Sequence, residues 1–295
     1  MDMSVVRGAV VVGVDGSEPA AAALDWAVRQ SALEGRELIV VHACGVPGAM
    51  QDFEDIVANE RGLKSVGRSI AREAVREARL TDPTVGVDSV VTMGHAETVL
   101  VEASETAHLL VVGARGRGTV ASALLGSVSA TLARESHCPV VVIRSFVEAA
   151  EDDDRPVVVG VDGTPVSSAA VEFGFKTASL REVPLVLLHA TWDLREHVSS
   201  VVDVRSYAEK VNLSEEEERL VAETVAGLCE KYPDVAVTET YRRGEPVGRL
   251  VEASRAASLL VVGSRGRRLL ATTLLGSVSR GVAERAYCPV AVVRP

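Results

Sequence analysis

Short runs of valine and leucine, each about strand length, alternate along this chain with stretches whose apolar residues recur every three to four positions. That alternation predicts βαβ units and a parallel sheet. In the first half the pattern places strands at Ala9–Val14, Leu38–Ala43, Gly86–Thr92, Leu109–Gly113 and Val140–Arg144. Helices are expected near Pro19–Leu33, Val57–Arg79, Ala96–Thr106 and Ser127–Ser136. The second half gives strands at Val157–Val161, Leu185–Ala190, Ala236–Tyr241, Leu259–Gly263 and Val290–Arg294. Cys44–Ile56 and Thr191–Val211 read as longer, irregular loops after the second strand of each half. Valine-rich strands suit burial on both faces, and their carboxyl ends face a ligand crevice in sheets of this kind.

The two halves are copies. VVVGVDG occurs at Val10–Gly16 and at Val157–Gly163, and His42-Ala43 recurs as His189-Ala190, both at an offset of 147 (157 − 10). Leu109–Gly118 then matches Leu259–Arg268, and Leu124–Val140 matches Leu274–Val290, at an offset of 150 (259 − 109). About three residues are therefore inserted in the second copy between His189 and Gly244. A period this long means domain duplication and not a solenoid. The expected domains are 1–147 and 148–295. The acidic stretch 145–155, which contains Glu151–Asp154, serves as an exposed linker.

Composition narrows the function classes. The chain is 47% hydrophobic with only 3% aromatic residues, and its net charge is −10. Phosphate backbones are bound chiefly through Lys and Arg, so a nucleic-acid partner is not expected. A single phosphate can still be held by a few backbone N–H groups and one arginine. Cys44, Cys138, Cys229 and Cys288 show no metal-binding spacing and read as small buried thiols in a reducing compartment. Residues Met1–Arg7 carry no apolar signal region, and no apolar run approaches the ~18 residues of a membrane span. A cytoplasmic protein without membrane contact is expected.

The candidate chemistry follows the fourth strand of each copy. Gly113-Ala-Arg-Gly116 is followed after nine residues by Gly126-Ser127, and Gly263-Ser-Arg-Gly266 after nine by Gly276-Ser277. Glycine permits a tight turn and a close backbone approach to a ligand. Ser127 and Ser277 stand where a helix begins, and the free N–H groups there can hold phosphate oxygens. Two copies with one spacing, each between a strand and a helix, make this a specific signal.

The pattern G-x2-G-x9-G-(S/T) resembles the ATP-binding signature of the universal stress protein family. The resemblance covers both halves and includes Val12–Ser17, Val159–Thr164 and the terminal Cys-Pro-Val strands. It implies an α/β fold: two tandem Rossmann-like domains of the adenine nucleotide α-hydrolase type. Each would hold a five-stranded parallel sheet of order 3-2-1-4-5 with helices on both faces. It also implies an ATP site in each domain, with Mg2+ as an accompanying cation. Asp15 and Asp162 would meet the nucleotide beside Gly13 and Gly160, with adenine against the backbone of Ala43 and Ala190. The triphosphate would rest on Gly113, Gly116, Arg117, Gly126, Ser127 and Val128, and on Gly263, Gly266, Arg267, Gly276, Ser277 and Val278. Where the first copy has Gly118-Thr119 the second has Arg268-Leu269, a change that would either tighten phosphate binding or obstruct it.

Plainer readings stand beside these. Asp15 and Asp162 would also serve as helix caps with Ser17 and Thr164. Arg115 and Arg265 fit solvated loop charges as well as they fit phosphate contacts. His42 and His189 each end a strand singly, which favours structural or ligand-shaping roles over metal binding. A Walker A loop fails, because Thr119-Val120 stands where Lys and Ser/Thr are needed, and G-x-G-x-x-G and G-x-S-x-G are absent.

The resemblance points to a nucleotide-dependent regulator in stress or growth arrest, acting on a protein partner. A slow ATPase or nucleotidyl-transferring enzyme is the alternative, but no Glu, His or Lys recurs beside both glycine loops as a base. Val140–Arg144 and Val290–Arg294 are apolar strands that the resemblance places at sheet edges, and such edges invite pairing. The expectation is a homodimer whose two domains also pair within the chain.

Overall fold

Val10, Val11 and Val12 are fully buried. A β-branched side chain on every residue of so short a run is stiff and fits a strand covered on both faces. This is β1 (Val10–Gly13), followed by α1 (Glu18–Glu34), β2 (Leu38–Cys44), α2 (Phe53–Thr81) and β3 (Val87–Met93). Then come α3 (Ala96–Ser104), β4 (Leu109–Gly113), α4 (Ser127–Glu135) and β5 (Val140–Ile143). The computed structural model describes residues 4–45, 53–116, 125–144, 154–162, 165–191, 222, 225–264 and 275–294. The chain divides into two compact units, Met1–Ala150 and Glu151–Pro295.

In the first unit β1 pairs in parallel with β2 and β4, β2 with β3, and β4 with β5. The order is therefore β3-β2-β1-β4-β5, as the resemblance implied. Alternate residues point to opposite faces. Val11, Ile39, Val41, Leu110, Val112, Val140 and Val142 form one face with Val99 and Leu100 of α3 and Leu132 of α4. Helix α1 packs on β1 and β4, and α2 on β2 and β3. Gly35, at φ +60°, ends α1: its N–H bonds to the Ala32 carbonyl while the Arg36 N–H reaches Ser31. Glycine takes that left-handed position without a Cβ penalty.

The second unit contains β6 (Val157–Val161), α5 (Pro165–Arg181), β7 (Leu185–Thr191) and helical residues 225–231 (α6). It continues with β8 (Val237–Arg243), α7 (Pro246–Ala253), β9 (Leu259–Gly263), α8 (Ser277–Arg285) and β10 (Val290–Val293). Its parallel ladders join β6 to β7 and β9, β7 to β8, and β9 to β10. The order β8-β7-β6-β9-β10 repeats that of the first unit.

Both stretches expected to be loop begin or end in regular structure, and Cys44 is the last residue of β2. Helix α2 begins at Phe53, inside the stretch expected to be loop. Phe53, Ile56 and Val57 already carry the i, i+3, i+4 spacing of a helix. Thr191, expected to open a loop, is the last residue of β7, and residues 192–211 lie outside the described residues. Among the described residues no helix is long and apolar enough to cross a membrane.

Three cysteines, Cys44, Cys138 and Cys288, are buried, but Cys229 is exposed. The buried residue of its helix is Leu228, and the next position is turned about 100° away. Burial pushes the Cys138 thiol from its ordinary 9.0 up to about 12. A raised folded-state value contributes stability that is complete below the unfolded value and is lost as pH rises toward the folded one. Between pH 8 and 10 the first domain should lose about 1 kcal/mol from this thiol. Denaturant unfolding at pH 8 and 10, compared with a Cys138→Ala variant, measures it. At pH 8.5 iodoacetamide should label Cys229 and spare Cys138; equal labelling of the two would refute the assignment.

Candidate functional site

The chain steps outward from β1 to β2 and β3, then returns to lay β4 on the other side of β1. At such a reversal the carboxyl ends of the two central strands leave a crevice. Asp15 stands there, two residues past the end of β1, and the glycine loop leaves β4 beside it.

The end of β1 is tied to β2. The Val14 N–H donates to the Val41 carbonyl at 3.0 Å, and His42 Nδ1–H donates to the Val14 carbonyl at 2.7 Å. A carbonyl only accepts, so this bond fixes the His42 proton on Nδ1. His42 is thus a strut for the segment that leads into Asp15. His189, its counterpart, stacks on Tyr241 with ring centroids 5.7 Å apart. Among the described residues no three His, Cys, Asp or Glu side chains gather to hold a metal ion.

Asp15 works in two directions. Its Oδ1 accepts the Ser17 N–H at 2.9 Å and the Ser17 hydroxyl at 2.5 Å, closing the turn before α1. Its Oδ2 faces Gly116, where a Cβ would lie only 2.5 Å away. One oxygen of this carboxylate thus closes the turn with Ser17, and the other lies against the glycine loop. Gly113 is equally constrained: a Cβ there would meet the carbonyl carbon, oxygen and Cβ of Pro19, each at 2.8 Å. These two glycines let β4 and its loop pass directly against the start of α1.

The neck of the loop is closed by a motif present in both units. The Gly126 N–H donates to the Ala114 carbonyl at 2.8 Å, and the buried Ser129 hydroxyl donates to the same oxygen at 2.9 Å. In the second unit the Gly276 N–H (2.9 Å) and the Ser279 hydroxyl (3.2 Å) converge on the Ser264 carbonyl. Helices α4 and α8 then begin on Gly126 and Gly276, neither of which supplies a side-chain cap. A helix start so built leaves its first N–H groups facing outward, the arrangement that binds anions. By contrast, α7 is capped by Glu245, whose carboxylate accepts from the Val247 and Gly248 N–H groups.

Other expected site residues fall as follows. Gly13 and Gly160 lie at the strand ends, but their missing Cβ positions are directed at Leu100 and Leu250, 2.9 and 3.0 Å away, so packing already accounts for them. Ala43 and Ala190 are half-buried, in register with Thr92 and Arg242. Val128 and Val278 are half-buried in the first turns of α4 and α8, where Ser127 and Ser277 are exposed. Arg115, Asp162 and Gly263 are half-buried beside their strand ends. Arg117, Gly118, Arg265, Gly266, Arg267 and Arg268 lie outside the described residues.

Three polar residues escaped the sequence reading. Ser129 and Ser279 were visible only as the last letter of a repeated Ser-Val-Ser. Glu97, in the first turn of α3, accepts the Ser127 hydroxyl at 2.7 Å and has no carboxylate counterpart in the second copy. That hydrogen bond, more than any other cause, holds Glu97 below the usual carboxylate range.

Two shallow clefts of about 450 and 500 Å3 lie elsewhere, between α2 and β3, lined by Arg68, Arg72, Arg76 and Arg79. They read as a solvated helix face. Arg76 is paired with Glu73 and Glu77, and Asp88 accepts the Ser89 N–H on the strand.

The model of the family described as "Universal stress protein family" matches residues 7–144 and again 155–294. The chain belongs to that family. A universal stress protein of Mycobacterium tuberculosis is 38% identical over 293 residues, covering 97% of this chain and 96% of that one. One from Mycolicibacterium smegmatis is 35% identical over 303 residues and covers both chains fully. Among solved structures, a universal stress protein from Archaeoglobus fulgidus superposes with a TM-score of 0.70 at 19% identity. That match covers 97% of this chain and 98% of the other, and shows a shared fold. The universal stress protein repeat thus spans both units.

Proposed function

We propose that each domain binds an ATP-type adenine nucleotide at the β1/β4 or β6/β9 strand ends, and that occupancy regulates a protein partner during stress or growth arrest. The observation that carries this reading is the meeting of Asp15 with Gly116 beside the uncapped start of α4. The residues fit a nucleotide: glycine backbone drawn up against Asp15, a carboxylate for a ribose hydroxyl, and outward N–H groups for phosphate. Gly113 and Gly116 would bring backbone close to the phosphates, and Ser127 and Val128 would donate N–H groups. Arg115 and Arg117 would supply positive charge, and Mg2+ would accompany a triphosphate. Asp162, Gly276, Ser277 and Val278 would act alike in the second domain, together with Gly263, Gly266 and Arg267. The protein would work in the cytoplasm as a homodimer, with at most slow hydrolysis of the bound nucleotide.

The test is mass spectrometry of small molecules released from freshly purified, denatured protein, followed by calorimetry. Adenine nucleotide should be released, or ATP should bind with micromolar affinity, about −8 kcal/mol. No released nucleotide and no heat with ATP, ADP or AMP at millimolar concentration would end this reading. Multiple-turnover hydrolysis at a sustained rate would favour the enzyme alternative.

A further inference from the structure

The Ser127 hydroxyl, at the start of α4, is taken up by the half-buried Glu97 of α3. One hundred and fifty residues on (247 − 97), the equivalent of Glu97 is Val247, which is 5% exposed. The start of α7 is served there by Glu245, whose two oxygens are engaged by the Val247 and Gly248 N–H groups at 3.1 and 2.6 Å. Among the described residues no side chain accepts from the Ser277 hydroxyl. The two domains therefore share the glycine-and-serine neck and differ by one negative charge on its serine.

A phosphate oxygen that takes the Ser127 hydroxyl must displace Glu97 and then lie near its carboxylate. The repulsion grows with the charge the ligand brings. We infer that Glu97 is a specificity-determining residue, which makes the first domain favour weakly charged phosphate ligands over polyphosphates, a discrimination the second domain lacks. This rests on the nucleotide reading of the site given above. Two unit charges ~5 Å apart in water-like surroundings repel enough to change an affinity about four-fold. A ligand with several charges near Glu97 loses more than one with a single phosphate. Ser127 keeps a partner in a Glu97→Gln variant, because the glutamine amide oxygen accepts the same hydrogen bond.

The experiment is calorimetry of the full chain with ATP and with AMP, in chelator, for the parent, Glu97→Gln and Glu97→Val. In both variants one of two sites should gain ATP affinity by about ten-fold and AMP affinity by about four-fold or less, so its ATP-to-AMP ratio rises. A role limited to supporting the start of α3 would lower thermal stability and leave that ratio unmoved. If the parent binds both nucleotides and the ratio changes less than two-fold in both variants, Glu97 does not set specificity. If the parent binds neither, the site reading itself fails, and this inference with it.

Discussion

A Gly113→Ala variant should lose about 3 kcal/mol of stability in the first domain. The new methyl carbon would stand 2.8 Å from three atoms of Pro19. Two of these are backbone atoms in the first turn of α1, and the third belongs to a closed ring, so no rotamer change relieves the contact. Either β4 or the start of α1 must shift, and overpacking of this kind costs roughly 1–3 kcal/mol, occasionally more. A domain of this size would melt about 10 °C lower. Gly62→Ala is the control. It lies within α2 with nothing inside 4 Å of its missing Cβ, so the better helix former should leave stability equal or raise it by up to about 1 kcal/mol. Thermal unfolding should show melting of the first domain displaced downward by Gly113→Ala and not by Gly62→Ala. Coincident curves for Gly113→Ala and the parent would mean that β4 and α1 are not packed rigidly against each other at Pro19.

Strand positions were legible because valine runs buried on both faces have no cheaper explanation. The five strands of the first unit fall within one residue of the expected ends. Strand order is another matter. Periodicity says which residues form a strand, but not which strand lies beside it, and the order 3-2-1-4-5 came from the family resemblance alone. The register Gly13↔Val112 joins positions almost a hundred residues apart that no local pattern links. The start of α2 is hard to read because Phe53, Ile56 and Val57 carry helical spacing over little more than one turn.

At the site, what both copies share was legible and what one copy holds alone was not. Comparing the halves draws attention to Gly116, Gly126 and Ser127 and away from Glu97, whose counterpart is Val247. Ser129 and Ser279 do recur, yet a serine in a helix is ordinary until its hydroxyl is found buried against a loop carbonyl. Gly13 has a packing role that the sequence does not display: the space over it belongs to Leu100, brought there by the crossover through α3.

Gly116→Ala should weaken nucleotide binding at the first site at least about ten-fold, equivalent to about 1.4 kcal/mol, and barely alter the fold. The contact it creates is with Asp15 Oδ2, the end of a short side chain and not backbone. The carboxylate can move aside, but it is anchored by the Ser17 N–H and hydroxyl and must give up one or both bonds to do so. The cost therefore falls on the orientation of Asp15 more than on packing. If the alanine acts through that carboxylate, its effect should vanish where the carboxylate is already gone. Asp15→Ala should lower affinity by a similar factor, and the double variant should lose no more than Asp15→Ala does. Residues in direct contact are expected to couple in this way, whereas independent ones add. Calorimetry on the four proteins of this cycle measures it, with the second site as an internal reference. Full additivity, or parent-like affinity in both single variants, would show that Asp15 and Gly116 do not bind the nucleotide together.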